Sequence, residues 1–374
     1  MSKNHPSSFP LGRRSYLLGA GAWLAANLVG SQRSAGQESA STLYLKDDVD
    51  QAVESGIDYL VSVARRDGAI ADRGHEVSMS ALAVMAMAAI GTQPSEHDPR
   101  GQVMQKAIDF VLDPSNQTME GYFGGRDGSR MYGHGIVTLM LTEMLGMGAT
   151  IDQNNRIHKS LVDAIQVILA AQAVKKPEKL KGGWRYTPDS RDSDLSVSIW
   201  QLMALRSAKN DGLDVPGESI DDALQYLRYS YASPLDNTGV PRDKVSGFTY
   251  TPGTYHPTFT MTAAGLLAMQ VCGQYDSPLV AGASEWLLQH PPKANERFFH
   301  YGVYYYAQAM HQAGGKYAEK ADKLVPQLLL DSQQGNGAWI ARGGEERNIG
   351  AVYATALTLL SLSVRYHYLP IYQR

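Results

Sequence analysis

The stretch "GGWRYTPDSRDSDLSVSIW", Gly182–Trp200, places a Gly-Gly-Trp turn, an aromatic strip and two aspartates directly in front of an apolar run. The run beginning at Leu195 is small and apolar with no glycine or proline, which reads as the start of a helix. Asp192 or Asp194 then stands where an N-cap belongs, accepting hydrogen bonds from the free amides of the first turn. The segment just before the turn, "SLVDAIQVILAAQ" (Ser160–Gln172), has helical spacing with one polar face. The unit is thus an amphipathic helix, a glycine-aromatic turn, a short polar link and a more apolar helix.

That unit recurs. The first copy runs "VDQAVESGIDYLVSVARRDGAIADRGHEVSMSALAVMAMAAIG", with Val49, Val53, Ile57, Leu60 and Val61 on one helical face. The second pairs "MQKAIDFVL" with "MYGHGIVTLMLTEMLGMG", and the third is the stretch above. The fourth pairs "SIDDALQYLRYSY" with "TFTMTAAGLLAMQVCG", and the fifth "GASEWLLQH" with "FFHYGVYYYAQAMHQAGG". The sixth sets "KADKLVPQLLLDSQQGNGAW" before "GAVYATALTLLSLSV". Six copies at a period of roughly 45–65 residues mark a repeat architecture. First helices carry charge on one face; second helices are apolar nearly all round, as burial on every side requires. Outer and inner rings follow. The expected fold is an all-α, single α/α toroid (an α6/α6 barrel of six helical hairpins) over residues 45–374, with an open solenoid as the alternative.

Residues 1–40 read as an export signal and linker. Arg13 and Arg14 precede a weakly hydrophobic run, Leu17–Gly30, which falls short of the roughly 20 residues of a membrane span. The twin-arginine form resembles a Tat signal. It implies an exported protein, periplasmic or in the cell envelope, with membrane association only through an uncleaved signal.

Bulk properties narrow the function classes. The net charge of -3 offers no polybasic face, so nucleic acid is not an expected partner. The single cysteine, Cys272, leaves no intramolecular disulfide and no multi-cysteine zinc site. His134, His256, His300, Asp192 and Asp194 are ligand types without a local motif such as H-E-x-x-H, so no metal or other cofactor is expected. No glycine-rich phosphate loop follows a strand.

Gln333, Gly337 and Trp339 in "QQGNGAW" form a Q-x-x-x-G-x-W turn that resembles the repeat of squalene cyclases, with degenerate versions at Gly68, Gly183-Trp184 and Gly247-Phe248. From about residue 45 to its end the chain resembles the prenyltransferase and squalene oxidase repeat superfamily. The phrases "MYGHG", "GGWRY", "YYYAQAM" and "YLPIYQR" bring it closest to the short bacterial members. The resemblance implies the terpenoid cyclase/protein prenyltransferase-like toroid. Squalene-hopene-type cyclases follow a Gly-Gly-Trp turn with D-x-D-D-T-A, whose middle aspartate protonates the polyene. Here Asp192-Ser193-Asp194-Leu195-Ser196-Val197 stands in that place, which gives Asp194 the acid role and puts Leu195 where the family has an aspartate.

Polar residues gather at the starts of the inner helices, which a closed ring would bring to one mouth. Asp194 and Asp192 are the catalytic candidates. Tyr132, His134, Trp184, Tyr186, Tyr250, His256, Phe299, His300 and Tyr304 are the substrate-binding candidates around a central aromatic-lined cavity. Glu345 and Glu346 read as a solvated charge run with Arg347. A terpene cyclase-like enzyme or a binder of a hydrophobic or isoprenoid small molecule fits the resemblance. The alternatives are a non-catalytic ligand- or protein-binding scaffold, and an α/α-toroid polysaccharide lyase or glycosidase that uses a carboxylate pair.

Overall fold

In the computed structural model the described residues are 46–366 and 368–372; the twin-arginine stretch lies outside them. Thirteen α-helices occur among the described residues. The outer helices are α1 (Asp48–Ser62), α3 (Pro99–Val111), α5 (Ile151–Ala173), α7 (Gly217–Tyr229), α9 (Pro278–Gln289) and α11 (Gly315–Leu330). The inner ones are α2 (Glu76–Ala88), α4 (Arg130–Glu143), α6 (Leu195–Asn210), α8 (Phe259–Val271), α10 (Phe299–Ala313) and α13 (Ala351–Leu362), with a short α12 (Gly344–Ile349) before the last. Among the described residues no helix is long and apolar enough to cross a membrane.

The division into rings follows from the side chains. Every residue of α8 is buried, whereas α7 buries only Ile220, Ala223, Leu224, Tyr226 and Leu227. Neighbouring inner helices pack in the order α2, α4, α6, α8, α10, α13, and α13 packs back on α2. The ring is closed, so the chain is an α/α toroid and not an open solenoid. Arg365 clasps Asp47 at 2.7 Å and Tyr366 bonds Asp50, which ties the end of the last hairpin to the first helix.

Glycines in the turns set how closely each hairpin approaches the next. Gly68, Gly121, Gly182 and Gly337 all have φ between 86° and 97° or just below, at 85° for Gly182. A Cβ on any of them would lie 2.0–2.5 Å from a backbone carbonyl of the following outer helix: Lys106, Asp163, Asp222 and Ser55 respectively. Gly182, not Gly183, is therefore the pinching residue of the third turn. Glutamines reinforce three of these contacts. Gln117, Gln172 and Gln333 each bond their own turn glycine's carbonyl and a carbonyl of the next outer helix, at Ser160, Ser219 and Ala52. The second turn, Gln117-x-x-x-Gly121-x-Phe123, thus makes the contacts of the repeat with phenylalanine in place of its tryptophan.

Each turn is also pinned to its inner helix at one recurring place. The amides of Ile70, Phe123, Trp184, Phe248 and Trp339 donate to Ser80, His134, Ser198, Thr262 and Thr355. The fourth hairpin departs by inserting a flap over residues 231–248, whose two arms bridge at Tyr231–Phe248 and Leu235–Pro241. The fifth has no glycine-aromatic turn.

The glycine contacts give a direct test. Gly337→Ala combines a left-handed backbone with a Cβ placed 2.0 Å from the Ser55 carbonyl oxygen. We expect destabilisation of more than about 2 kcal/mol in chemical denaturation. A change below about 0.5 kcal/mol would contradict the close approach.

Candidate functional site

The first turns of the inner helices are where the ring must satisfy buried amides. Three of these starts enter through a non-glycine residue in the left-handed region: His75 (φ 63°), Arg130 (57°) and Phe298 (64°). At such an entry the flanking side chain makes no cap. The acceptor comes from the next hairpin round the ring. Asp127 accepts from Ser78 N at 3.1 Å on α2, and the Tyr186 carbonyl accepts from Met131 N at 3.0 Å on α4. Glu346 accepts from Tyr301 N at 3.0 Å and His300 N at 3.3 Å on α10. Asp72 of the first hairpin accepts from Ala351 N at 2.7 Å and Val352 N at 3.1 Å on α13, closing the circle. These four starts are thus linked round one face of the ring. Glu346 is buried, so the expected solvated run divides: Glu345 is exposed and pairs with Arg297 at 2.8 Å, while Glu346 is a cap. Burial raises the Glu346 carboxyl above its ordinary value, against the pull of those amides.

The third hairpin carries the densest polar cluster. Asp194 is the N-cap of α6: its Oδ1 accepts from Val197 N at 3.0 Å and from Ser196 Oγ at 2.5 Å. The side chain is fully buried; Oδ2 makes no well-aligned hydrogen bond and faces Arg185 Nη1 at 3.4 Å, with the Tyr250 side chain also against the carboxyl. Burial raises the Asp194 carboxyl above its ordinary value, opposed by Ser196, the Val197 amide, Arg185 and Tyr250. Asp192 is exposed, with Oδ2 3.5 Å from Arg185 Nε. One guanidinium therefore bridges both aspartates, and it also lies over the rings of Tyr186 (4.8 Å) and Tyr250 (5.6 Å). The two tyrosine hydroxyls meet at 2.6 Å. Tyr132 sits 6.0 Å from Tyr186, ring to ring, and its hydroxyl donates to Ser196. The Tyr250 carbonyl accepts from Leu195 N at 2.9 Å, so the fourth hairpin holds the start of α6 as well.

The other candidates lie elsewhere. His134 occupies the turn-pinning place that Ser or Thr fills in other hairpins. Its Nδ1 accepts from Phe123 N at 3.3 Å and its Nε2 faces the Ala164 carbonyl at 3.1 Å, leaving no edge for a ligand. Trp184 is buried and donates from Nε1 to the Ile168 carbonyl at 2.8 Å, a scaffold contact. His300 is buried, with Nδ1 2.9 Å from Thr358 Oγ1. Phe299 is half-buried beside it, edge to face at 5.1 Å, and His256 is exposed on the link before α8. Among the described residues no three His, Cys, Asp or Glu side chains stand close enough to hold a metal ion.

The axis differs from the expected aromatic-lined cavity. Tyr304 stacks on Trp200 at 5.9 Å and 9°, and Tyr301 and Tyr305 pack edge to face at 4.8 Å; all four are buried. Tyr304 and Tyr372 share a hydroxyl contact, so the C-terminal turn Pro370–Tyr372 reaches the same stack. These aromatics of α6 and α10 pack on one another across the ring.

Comparison with solved structures gives the fold a counterpart. The α-1,6-mannanase GH76A of Salegentibacter sp. HEL1_6 superposes with a TM-score of 0.59 over 86% of this chain and 100% of its own, at 8% identity. An inactive variant of it in complex with α-1,6-mannotriose gives 0.58 over 85% and 99%, at 9% identity. The chain shares the α/α toroid fold of these proteins. No protein-family profile and no curated protein sequence matches it.

The two buried histidines generate a pH dependence. Burial lowers His134 and His300 from the ordinary 6.5 to about 4. As pH falls from 6.5 toward 4 the unfolded chain takes up these protons before the native one, so stability falls over that window and is fully present above it. In His134→Ser, which keeps the recurring hydroxyl, the loss of unfolding free energy between pH 7 and pH 4.5 should shrink by about 1–3 kcal/mol. An unchanged loss would contradict the neutral buried imidazole.

Proposed function

We propose that the rim around Arg185 is the active site of an exported carbohydrate-processing enzyme, a glycosidase in which Asp194 is the general acid and Asp192 its partner carboxylate. The observation that carries this is the pairing of a buried carboxyl, one oxygen without a well-aligned hydrogen bond, with a second exposed carboxylate across one guanidinium. Glycoside hydrolysis asks for two carboxyl groups in unlike environments flanking the scissile bond. The tyrosines suit the same ligand: Tyr186, Tyr250 and Tyr132 offer ring faces to the C–H side of a sugar and hydroxyls to its polar edge. The toroid fold shared with α-1,6-mannanases supports the reading.

In this mechanism the substrate's hydroxyls draw Arg185 off Oδ2. Asp194 then donates its proton to the glycosidic oxygen as the C–O bond breaks. Asp192 takes a proton from the water that attacks the anomeric carbon, so one water is consumed per bond. The isoprenoid reading calls on the same acid, yet a polyene needs volume along the axis, where Trp200, Tyr301, Tyr304 and Tyr305 stand.

The test separates chemistry from structure. Asn is as good an N-cap as Asp, so Asp194→Asn keeps the helix start while removing the proton. Purified protein given a panel of polysaccharides that includes α-1,6-mannan should release reducing ends, and Asp194→Asn should lower kcat by about 10²–10⁴-fold with unchanged thermal stability. No release from any polysaccharide between pH 4 and 8, or full activity in Asp194→Asn, would sink the proposal.

A further inference from the structure

A groove of about 810 Å³ opens on the wall of the fourth hairpin, between α7, the flap over residues 231–248 and the turn Gly253–Tyr255. The turn belongs to the same link as Tyr250 of the rim, five residues before Tyr255. It is large enough for several sugar rings.

Its chemistry is selective. Arg228 and Lys179 line it, and Asp236 is the sole carboxylate among the lining residues. Asp236 faces its own turn: Oδ1 accepts from Thr238 N at 2.8 Å, Thr238 Oγ1 at 2.7 Å and Val240 N at 3.0 Å. It forms no ion pair with either cation. Arg228 has only a long contact, 3.4 Å, to Gln225, so both positive groups stand without a carboxylate partner. Tyr255, 62% exposed, stands in the wall as a hydroxyl-bearing aromatic face. Cations without a carboxylate partner and an exposed tyrosine lining one groove suit a sugar ring that bears a carboxylate, since a guanidinium meets a carboxylate in a bidentate fork and the ring packs on the aromatic face.

We propose that this groove binds the uronate-bearing segment of an acidic polysaccharide, extending the rim site along the polymer. The inference rests on the carbohydrate reading of the rim, but binding in the groove is measured without turnover.

Affinity electrophoresis of the full chain through gels containing polygalacturonate, neutral α-1,6-mannan or polyacrylate tests it. Polygalacturonate should retard the protein more strongly than mannan. Arg228→Ala/Lys179→Ala should raise the Kd for polygalacturonate about tenfold or more, and Arg228→Lys should restore part of the binding. Tyr255→Ala should weaken polygalacturonate binding without altering that of polyacrylate. Wild-type protein that binds polygalacturonate yet releases no reducing ends from any polysaccharide would overturn the rim mechanism and leave the groove standing. Equal retardation by mannan, no retardation by polygalacturonate, or wild-type retardation of the double variant would each overturn the groove.

Discussion

Each inner helix begins with amides that its own hydrogen-bond ladder leaves free, and in a closed ring those amides lie where water is scarce. In five of the six hairpins the next hairpin supplies the acceptor: Asp127, the Tyr186 carbonyl, the Tyr250 carbonyl, Glu346 and Asp72 serve α2, α4, α6, α10 and α13 in turn. A cap of this kind contributes about 1 kcal/mol, and a carboxylate at a partly buried helix start up to about 2 kcal/mol. Their direction is uniform, so together they also fix the order of the hairpins round the ring. The glycine turns do the complementary task outside, letting each hairpin press against the following outer helix.

Two starts carry side-chain caps of their own, and one of them locates the chemistry. The starts of α6 and α8 use extended N-caps of their own, Asp194 and Thr258. The start of α6 therefore brings its own carboxylate to the rim and holds it by one oxygen, leaving the other directed at Arg185. Burial and helix-start amides pull the Asp194 carboxyl in opposite directions, and burial prevails. A caps-only role accounts for Oδ1; it gives no account of Oδ2.

The toroid was legible because it depends on patterns that recur along the chain: apolar inner helices, charged outer faces and the turn at Gln333, Gly337 and Trp339. Asp192, Asp194 and Tyr186 were legible from local sequence, but Arg185, which bridges the two aspartates, was not singled out, and Tyr250 joins them from the next hairpin. What sequence could not carry were contacts between hairpins. Glu346 reads as part of a charge run until α10 is seen above it. His134 reads as a rim ligand until it is aligned with Ser80, Ser198, Thr262 and Thr355, whose chemistry differs while their place does not. The packing of α6 and α10 aromatics was hidden for a related reason: a tyrosine-rich inner helix serves a packed stack as readily as a lined cavity, and only the stacking of Tyr304 on Trp200 distinguishes the two.

A ligand's position separates the rim from the axis. A crystal structure of the Asp194→Asn protein with an oligosaccharide would decide it. The account predicts a sugar ring over Tyr186 and Tyr250, with its glycosidic oxygen at the residue 194 side chain and Arg185 swung aside. Ligand density along the axis, with Trp200 and Tyr304 displaced and the rim empty, would contradict it.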